Sequence, residues 1–442
     1  MTEREPTLAG WGNLPVSGHE LLSEDLPAIT RGAVLSRGMG RSYGDSSLPP
    51  PGRREVVGTR MADRILAWDP ANGVLRAEAG FTLWEFNRLF LRRGWFISAT
   101  PGTQFVSMGG MVAADVHGKG HHWYGGFGAH LRALRLRVAD GSIVDCGPAH
   151  EPELFWATVG GMGLTGHILE VECQAQAIPT PWIHSQSQRI DDIDQFIDAL
   201  KTSGTTWPFS VGWIDCLSRG KRMGRGILDR GRWATPEETG GRPLPNTMRL
   251  AVPFNFPSWA LGRFTVRAFN TLYYWKHFQR AREGLRHPDS FFYPLDAILH
   301  WNRIYGRRGF TQYQCVLPDS AGKGSARRFL ELLTSRGGAS FLCVIKDAGA
   351  QGQGLLSFLR PGISIALDIP VRDNTQRLVD TLNELVIAEG GRIYLAKDAF
   401  TRPEHYAAMD PRLPEFQAVR DRWDPARSIR SAQSVRVFGD PP

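Results

Sequence analysis

Apolar and polar positions along the chain predict short strands and helices that follow one another without regular alternation. Residues 134–138 alternate apolar and basic side chains and are followed by turn residues 140–141, which predicts a β-hairpin with a two-residue turn. A capping box at 82–85 predicts a helix that runs through Arg93 and ends at Gly94. Further strands are predicted at 74–79, 168–173, 209–215, 341–346 and 363–369, and further helices at 153–157, 191–201, 326–336 and 375–388.

This mixture of elements favours an α+β fold over a doubly wound parallel sheet. No repeat of about 20 to 50 residues is visible, which argues against a solenoid. The stretch Pro179-Thr-Pro181 interrupts the pattern and predicts a domain boundary. Near the end of the chain, Gly390-Gly391 ends a helix, and Ile393 begins a strand.

Composition places the chain among folded proteins. Its 442 residues are 42% hydrophobic, which is enough to form buried cores. No run of about 18 apolar residues occurs, so no transmembrane helix is predicted. The first 15 residues lack the apolar segment of a secretory signal. The five cysteines form no CxxC pair, and we interpret them as reduced thiols in a reducing compartment.

The formal net charge of +8 leaves several interpretations open. It fits a soluble basic protein, an anionic substrate, an anionic membrane surface or a nucleic acid. Basic residues concentrate at 219–232, which is interpreted as a glycine-interrupted loop that could rest on phosphate headgroups. No nucleic-acid-reading motif is present, so no nucleic-acid partner is predicted.

Three glycine-rich stretches, 36–45, 101–128 and 160–166, predict a nucleotide cofactor. Glycines let the backbone curl and turn its N–H groups toward an anion such as a phosphate. The GxGxxG match at 161–166 lacks the strand before it and the helix after it that an NAD-type fold requires. The first stretch is followed by proline-rich sequence rather than a helix. Phosphate is therefore predicted to be held by loop N–H groups.

Histidines in the middle glycine stretch raise the question of a metal. His117, His121 and His122 lie close together in sequence, but glycines interrupt them, and Lys119 would repel a cation. We predict no metal site and interpret His121 and His122 as structural.

Four motifs in order carry a resemblance to a known family. They are RGMGRSYGD at 37–45, PGT…GGMVAADVHGKGHH at 101–122, ELFWATVGGMGLTG at 153–166, and YLAKD at 394–398. Together they resemble the FAD-linked oxidases of the vanillyl-alcohol-oxidase type. Within that family the likeness is to oxidases of polyprenylphosphoryl pentoses, and it spans nearly the whole chain, including 292–296, 301–306 and 309–314.

The resemblance implies a bipartite FAD-binding domain of the PCMH type, with an inserted substrate domain built on an antiparallel sheet. Residues 1–180 and 391–442 would form the FAD domain, and 181–390 the substrate domain. In many relatives a histidine in the first loop carries the flavin covalently, but here that stretch, Gly40 to Tyr43, contains none, so FAD is predicted to be non-covalent. The implied FAD contacts are Arg37, Gly38, Met39, Gly40, Arg41, Ser42, Tyr43, Gly44, Asp45, Gly102, Ser107, Met108, Gly109, Gly110, Ala114, Asp115, Val116, His117, Ile168 and Tyr394.

The implied reaction oxidises the 2′-hydroxyl of a polyprenylphosphoryl pentose, of the decaprenylphosphoryl ribose type, to a ketone. This is the first half of an epimerisation to the arabinose lipid, which a short-chain NAD(P)-dependent reductase partner would complete. The implied catalytic residues are Lys397, Tyr43 and His117. The implied substrate-binding residues are Lys119, Trp213, Tyr293, Gln312, Gln314, Lys346 and Ser364. The expected location is the cytoplasm, peripheral contact with the inner face of the membrane is a further hypothesis, and the periplasm stays open.

Strand parity independently predicts a polar surface over the site. Gln312 and Gln314 share one face of a strand, as do Ser364, Ala366 and Asp368 on another. An ordinary solvated sheet face explains the same pattern. Relatives carry a cysteine and an asparagine where this chain has Ala366 and Ser364. Ala366 therefore cannot form a covalent adduct with electrophiles, and the identity of the sugar and lipid stays open.

Other functions remain as alternatives. A sugar, alditol or aldonolactone oxidase of the same fold would use oxygen or another acceptor. A flavin-fold protein without catalysis is a further alternative, against which Lys397 and the glycine framework argue. Lipid length, electron acceptor and oligomeric state are left open.

Overall fold

The structure is a computed structural model that describes residues 6–257 and 261–442. It combines several sheets with helices that do not alternate with strands, so the predicted α+β class is confirmed. The main sheets are two that lie within residues 19–174 and one large sheet formed by strands between residues 183 and 393.

The N-terminal sheets bring the first glycine stretch beside the main core. A five-stranded antiparallel sheet has the order Ile143–Cys146, Leu131–Arg137, His167–Gln174, Val74–Glu78, Ile65–Asp69. A parallel three-stranded sheet has the order His19–Leu22, Glu55–Gly58, Ser36–Arg37. Two-stranded ladders join Thr7–Ala9 to Pro15–Ser17, and Trp95–Phe96 to Gln176–Ala177. The first glycine stretch therefore leaves the sheet at the end of the strand Ser36–Arg37.

An eight-stranded sheet dominates the second half, and every pair in it is antiparallel, as predicted for the inserted sheet. Its order is Ala281–Arg286, Ile183–Ile190, Gly226–Trp233, Phe209–Ile214, Cys343–Ala348, Gly362–Pro370, Phe310–Pro318, Arg392–Ile393. A separate parallel pair joins Leu250–Ala251 to Ile298–Leu299. Because the last strand lies beyond residue 390, this sheet reaches into the predicted C-terminal segment. The domain division itself stays a prediction.

Helices cover the sheets and connect them. The α-helices are Leu26–Ile29, Leu83–Phe90, Met108–Ala113, His121–Tyr124, Pro152–Thr158, Ile193–Ser203, Pro236–Thr239, Arg263–Lys276, Pro288–Phe292, Gly324–Ser335, Thr375–Ala388, Pro403–Met409, Leu413–Trp423 and Ala432–Phe438. Short 3-10 turns occupy Leu91–Arg93, Phe127–His130, Gly220–Arg222, Pro294–Ala297, Trp301–Tyr305, Asp319–Ala321 and Leu395–Lys397. In the part of the chain that the structure describes, no helix combines the length and apolar character needed to cross a membrane.

Several local predictions are confirmed in detail. Thr82 and Glu85 form the reciprocal capping box, and Gly94 ends the following 3-10 turn at φ +85°. The helix Thr375–Ala388 has the predicted bounds. The hairpin over 131–146 is present, but its predicted two-residue turn is wrong, because the strands separate after Arg137 and rejoin at Ile143.

The prediction of an irregular basic loop at 219–232 is wrong for its second half. Residues from Gly226 onward form a central strand, because alternate positions pack on the helix Ile193–Ser203 or face the other side of the sheet. Arg225 pairs with Asp215 and Arg232 with Glu238, so these charges are satisfied within the protein. A 14-residue helix, Arg263–Lys276, lies where no element is predicted.

The C-terminal segment is fastened to the first glycine stretch, although the two are far apart in sequence. The Tyr43 N–H donates to the Ala396 carbonyl at 2.9 Å. Gly44 lies so close to the Asp398 carbonyl that a Cβ would overlap it. Arg436 bridges Asp45 and Asp398 at 2.8 and 2.9 Å. Lys397 is thereby held against the first glycine stretch.

Candidate active site

A cavity of about 550 Å³ lies where the glycine-rich stretches meet the large sheet. All three stretches contribute to its wall, together with one face of the eight-stranded sheet and the C-terminal segment. Cavities of this size that combine apolar walls with a few polar groups are typical ligand sites. The fold therefore brings separately encoded motifs to one place.

Most of the predicted site residues line this cavity. Those in its wall are Gly38, Met39, Gly40, Arg41, Ser42, Tyr43, Gly102, Ser107, Gly109, Gly110, Ala114, Val116, His117, Lys119, Ile168, Trp213, Gln312, Gln314, Lys346, Tyr394 and Lys397. Their individual roles stay predictions.

Seven predicted site residues lie outside the wall: Arg37, Gly44, Asp45, Met108, Asp115, Tyr293 and Ser364. The charged ones have structural partners elsewhere. Arg37 binds Glu20 at 2.8 Å and the Ala9 carbonyl at 2.7 Å. The Asp115 carboxylate accepts from the Gly128 N–H at 2.8 Å and from the Ser357 hydroxyl.

The uncharged ones support the wall from behind. Met108 is fully buried in the core. The Tyr293 hydroxyl bonds Thr100 and Asn87, and the Ser364 hydroxyl accepts from the Gln314 amide at 3.2 Å.

The first glycine stretch presents a row of backbone N–H donors to the cavity. Among the described residues, the N–H groups of 38–42 have no hydrogen-bond acceptor, and all five residues line the cavity. Buried or half-buried N–H groups are normally paired, so a consecutive unpaired row indicates a ligand with several acceptor oxygens. A Cβ added at Gly102 would meet no atom within 4 Å, which leaves room for a ligand against the backbone. These features fit a dinucleotide cofactor.

Three half-buried lysines give the cavity a concentrated basic character. Burial is the main cause that lowers the pKa of Lys397 to about 7, of Lys119 to about 7 and of Lys346 to about 8. The Lys119 ammonium donates to the Phe292 carbonyl at 3.0 Å. Lys346 has neither a hydrogen-bond acceptor nor an ion-pair partner among the described residues. Because removing a cation from water without a nearby anion is costly, a cavity lined by three such lysines is suited to an anionic ligand.

Lys397 lies in a network with aromatic and acidic groups. Its Nζ is 3.9 Å from the centre of the Tyr43 ring, a cation–π contact. Gln312 donates to one oxygen of Asp368 at 2.7 Å, and the Tyr305 hydroxyl donates to the other at 2.6 Å. Burial raises the pKa of Asp368 to about 6, while nearby Lys397 favours its ionised form. Burial also raises the pKa of Tyr43 well above 10, so its phenol stays protonated at neutral pH.

His117 is an uncharged hydrogen-bonding group. Burial, followed by the charge of Lys346, lowers its pKa well below 6.5. Its Nε2 lies 3.0 Å from the Gln314 amide nitrogen, which makes this ring nitrogen the acceptor. The paired glutamines confirm the predicted parity, since Gln312 is opposite Asp368 and Gln314 opposite Ala366 on the face that lines the cavity.

The other two histidines bond the backbone. His121 Nδ1 accepts from the Gly349 N–H at 3.0 Å, and His122 Nε2 lies 2.9 Å from the Trp207 carbonyl oxygen. Within 6–257 and 261–442, no group of three His, Cys, Asp or Glu side chains is arranged to hold a metal. The five cysteines are all buried and form no disulfide.

Some residues of the wall are absent from the predicted site. Met162, Gly163 and Gly166 belong to the third glycine stretch, which the sequence singles out without assigning it a role. Asp229 and Arg286 form an ion pair at 3.3 Å in the wall. They come from two strands that both pair with Ile183–Ile190, so only the sheet order brings them together. No local sequence signal marks them.

Comparison with known proteins agrees with this geometry. Residues 28–147 match the model of an FAD binding domain. The chain is 33% identical to the decaprenylphosphoryl-β-D-ribose oxidase of Mycolicibacterium smegmatis, over 97% of both chains. It is 32% identical to an uncharacterized protein of Streptomyces coelicolor, over 81% of this chain and all of the relative. It is 29% identical to the L-gulonolactone oxidase of Scyliorhinus torazame, over 30% of this chain and 29% of the relative.

Proposed function

The chain belongs to the family of FAD-dependent oxidases that includes decaprenylphosphoryl-β-D-ribose oxidase, and we propose that it oxidises the 2′-hydroxyl of a polyprenylphosphoryl pentose to the 2′-keto form. The observation that carries this proposal is one cavity that unites the N–H row of 38–42, unpaired among the described residues, with the half-buried cations Lys119, Lys346 and Lys397. A cofactor with phosphates and a phosphorylated substrate both fit such a wall.

FAD is held, in this proposal, by the glycine stretches and the C-terminal segment. Residues 1–180 and 391–442 form its domain, and 181–390 covers the site. The N–H groups of 38–42 receive phosphate oxygens, and Gly102, where an added Cβ would meet no atom within 4 Å, allows close approach of the cofactor to the backbone. When bound, FAD supplies the two-electron oxidation of the alcohol carbon.

The protein's own groups orient the pentose and manage charge at the reacting carbon. Lys397, as an ammonium, stabilises negative charge that develops at the reacting oxygen. The Tyr43 phenol stays protonated and acts as a hydrogen-bond donor. Neutral His117 acts as a hydrogen-bond acceptor. Gln312 and Gln314 present amides along one face of the sheet and position the sugar hydroxyls.

Two further lysines recognise the phosphate of the substrate. Lys119 lies near the Asp229–Arg286 pair, whose arginine lowers the lysine pKa and whose aspartate raises it. Lys346 adds a second half-buried cation on Cys343–Ala348, a strand that pairs with Phe209–Ile214. Trp213 and the ring of Phe291 border the same region and provide apolar walls. Together these side chains favour a sugar that carries an anionic group over a free sugar.

Reduction of the bound flavin tests the proposed reaction. The purified protein, in anaerobic buffer, is mixed with decaprenylphosphoryl ribose, free ribose or an aldonolactone, and the visible flavin absorbance is followed. Rapid bleaching is expected with the lipid-linked pentose alone. Bleaching by aldonolactones or simple sugars, with none by the lipid-linked pentose, would assign the chain to the sugar and lactone oxidases. No bleaching by any of them would leave a flavin protein without this catalysis.

We also propose that FAD is bound non-covalently, because the first glycine stretch offers no histidine between Gly40 and Tyr43. Acid precipitation of the flavin-loaded protein is expected to release the yellow cofactor into the supernatant. Flavin that stays with the protein pellet after washing in denaturant would contradict this expectation. Free FAD mixed with an unrelated precipitated protein is the control for trapping.

The product of this reaction requires a second enzyme. A 2′-keto lipid is converted to the arabinose epimer only by reduction from the opposite face, so an NAD(P)-dependent short-chain reductase is the proposed partner. The polyprenyl chain of the substrate also places the reaction at a membrane surface, and we propose peripheral contact with the membrane.

A further inference from the structure

One stretch of the chain combines positive charge with exposed apolar side chains. Residues 239–282 contain seven lysines and arginines and no aspartate or glutamate. The same stretch supplies nine of the eighteen large apolar side chains that are exposed in the described part of the protein. Exposed apolar groups gathered in one segment mark an interaction site rather than ordinary surface.

The helix Arg263–Lys276 shows how these features are arranged. Val266, Asn270 and Tyr274 follow one another at i+4 spacing and are buried. Asn270 donates to Asp215 at 2.9 Å, which fixes this face of the helix to the protein. The inward side of the helix is therefore anchored by a polar contact as well as by apolar packing.

The opposite face of the same helix is apolar and uncovered. Phe264 is 84% exposed and Leu272 72%, and Phe278, just beyond the helix, is 76% exposed. Arg263, Arg267 and Lys276 are exposed on the same helix. An apolar stripe accompanied by basic residues is typical of a helix that lies in a membrane interface.

This helix also borders the candidate active site. Phe269 and Tyr273, one turn apart, line the cavity, and Tyr273 packs on Trp213 with ring centres 4.6 Å apart. On the other side, the exposed strand Leu250–Ala251 pairs with Ile298–Leu299, whose residues also line the cavity. A molecule that left the cavity along these walls would reach the uncovered apolar side chains.

We propose that the docking helix, Arg263–Lys276 together with Phe278, binds the surface of an anionic lipid membrane and opens the cavity toward it. This inference rests on the proposed function, because a polyprenyl substrate must pass from the membrane to the cavity. The apolar side chains enter the headgroup region, and the basic residues contact lipid phosphates. The chain outside residues 239–282 carries little net charge, since the total is +8.

Charge favours a membrane over a second copy of the chain on this surface. A symmetric dimer would place the same acid-free basic segment against itself, and like charges across an interface are unfavourable. An anionic bilayer neutralises those charges instead. The exposed basic residues at 219–222 have no comparable group of exposed apolar neighbours in the sequence, so they serve as a contrast.

Vesicle binding tests the docking helix. The flavin-loaded protein is sedimented with vesicles of phosphatidylcholine, alone or mixed with phosphatidylglycerol, at about 0.05 M and about 0.5 M salt. We expect binding to the mixed vesicles that exceeds binding to phosphatidylcholine by at least about tenfold and weakens at the higher salt. Equal binding to both lipids, or no binding to either, would overturn the proposal.

Two sets of variants locate the surface. The triple variant Phe264→Ser, Leu272→Ser, Phe278→Ser is expected to reduce vesicle binding by about tenfold or more. Its control is Met61→Ser, Leu66→Ser, Leu89→Ser, which removes three exposed apolar side chains elsewhere, each 41–43% exposed, and should bind as the wild type does. Equal loss in both triple variants would overturn the assignment.

Charge variants provide the second comparison. Arg263→Gln, Arg267→Gln, Lys276→Gln is expected to lose the preference for phosphatidylglycerol. Arg219→Gln, Lys221→Gln, Arg222→Gln should retain it. If the variant at 219, 221 and 222 lost the preference and the variant at 263, 267 and 276 kept it, the assignment of membrane binding to the docking helix would be wrong. Self-association of the wild type that disappears in the apolar triple variant, without vesicle binding, would assign the surface to a second copy instead.

A soluble substrate separates this inference from the proposed function. A short-prenyl phosphoryl pentose that dissolves in water needs no membrane, so all four variants should oxidise it at the wild-type rate. The triple variant of the apolar stripe should be slower only with the long-chain substrate in vesicles. If the wild type oxidises neither substrate, the proposed function is wrong. The vesicle experiment still shows whether the docking helix binds an anionic membrane. A variant that binds vesicles poorly but oxidises the embedded substrate normally would overturn the docking role.

Discussion

Replacement of Lys397 by alanine is expected to lower the rate of flavin reduction by substrate by about 10²–10³-fold while the protein remains folded and yellow. Lys397 is half-buried and contacts the Tyr43 ring. It is held in place by the bond between the Tyr43 N–H and the Ala396 carbonyl, which does not involve its side chain. The backbone around it should therefore survive truncation. Stopped-flow absorbance under anaerobic conditions measures the rate, and the flavin content of the purified variant reports on folding.

The pH profile distinguishes a catalytic charge from a structural one. Because burial lowers the pKa of Lys397 to about 7, the ammonium is lost as the pH rises above that value. The wild-type rate should fall over the same range. Lys397→Arg keeps a charge at every accessible pH, so its slower rate should not decline there. An alanine variant with undiminished rate, or a wild-type profile that rises through pH 7, would remove the charged lysine from the mechanism.

Replacement of Lys346 by methionine is expected to stabilise the flavin-free protein at pH 7 by about 1–3 kcal/mol. The Lys346 ammonium is half-buried and has no hydrogen-bond or ion-pair partner in the described part of the chain, and burial lowers its pKa to about 8. Methionine has a similar length and no charge, so it removes the desolvation cost and keeps the packing. Urea unfolding of the two proteins at pH 7 and at pH 9 measures the difference.

The direction in which wild-type stability changes with pH follows from the number of protons bound by the folded and unfolded states. Between pH 8 and pH 10 the unfolded lysine, with its ordinary pKa near 10.4, stays protonated while the folded one does not, so wild-type stability gains from rising pH there. The advantage of the methionine variant should accordingly shrink at pH 9. Burial raises the pKa of Cys146 and Cys173 to about 12, which opposes this trend at alkaline pH equally in both proteins. Lys221→Met, at an exposed site, is the control. A destabilised variant, or an advantage equal at both pH values, would contradict the assignment.

Local chemistry explains why much of the fold is predictable. The capping box at Thr82 and Glu85 acts within one turn, and the helix 375–388 presents a continuous apolar face, so both are read from short windows. The glycine motifs identify the family and, through it, most of the wall of the cavity. The parity of Gln312 and Gln314 also follows from the local period of a strand.

The elements and wall residues that the sequence did not predict depend on contacts with residues far away along the chain. Helix 263–276 has only Val266, Asn270 and Tyr274 buried, so it lacks the apolar core face by which helices are predicted. Asp229 meets Arg286 only because a strand from much earlier in the sequence, Ile183–Ile190, lies between their two strands. Arg37 illustrates the converse case, in which a residue of the motif has structural partners. It belongs to the recognised motif, yet its side chain donates to the Glu20 carboxylate and the Ala9 carbonyl and lies outside the cavity wall.

The Arg436 bridge to Asp45 and Asp398 has a consequence for how the protein acquires its cofactor. Asp45 and Arg436 are 391 positions apart, and the wall that holds Lys397 is joined through them. During translation the first glycine stretch leaves the ribosome long before the segment that completes it. Flavin loading should therefore wait until residue 436 has been synthesised, and nascent chains shorter than that should stay colourless.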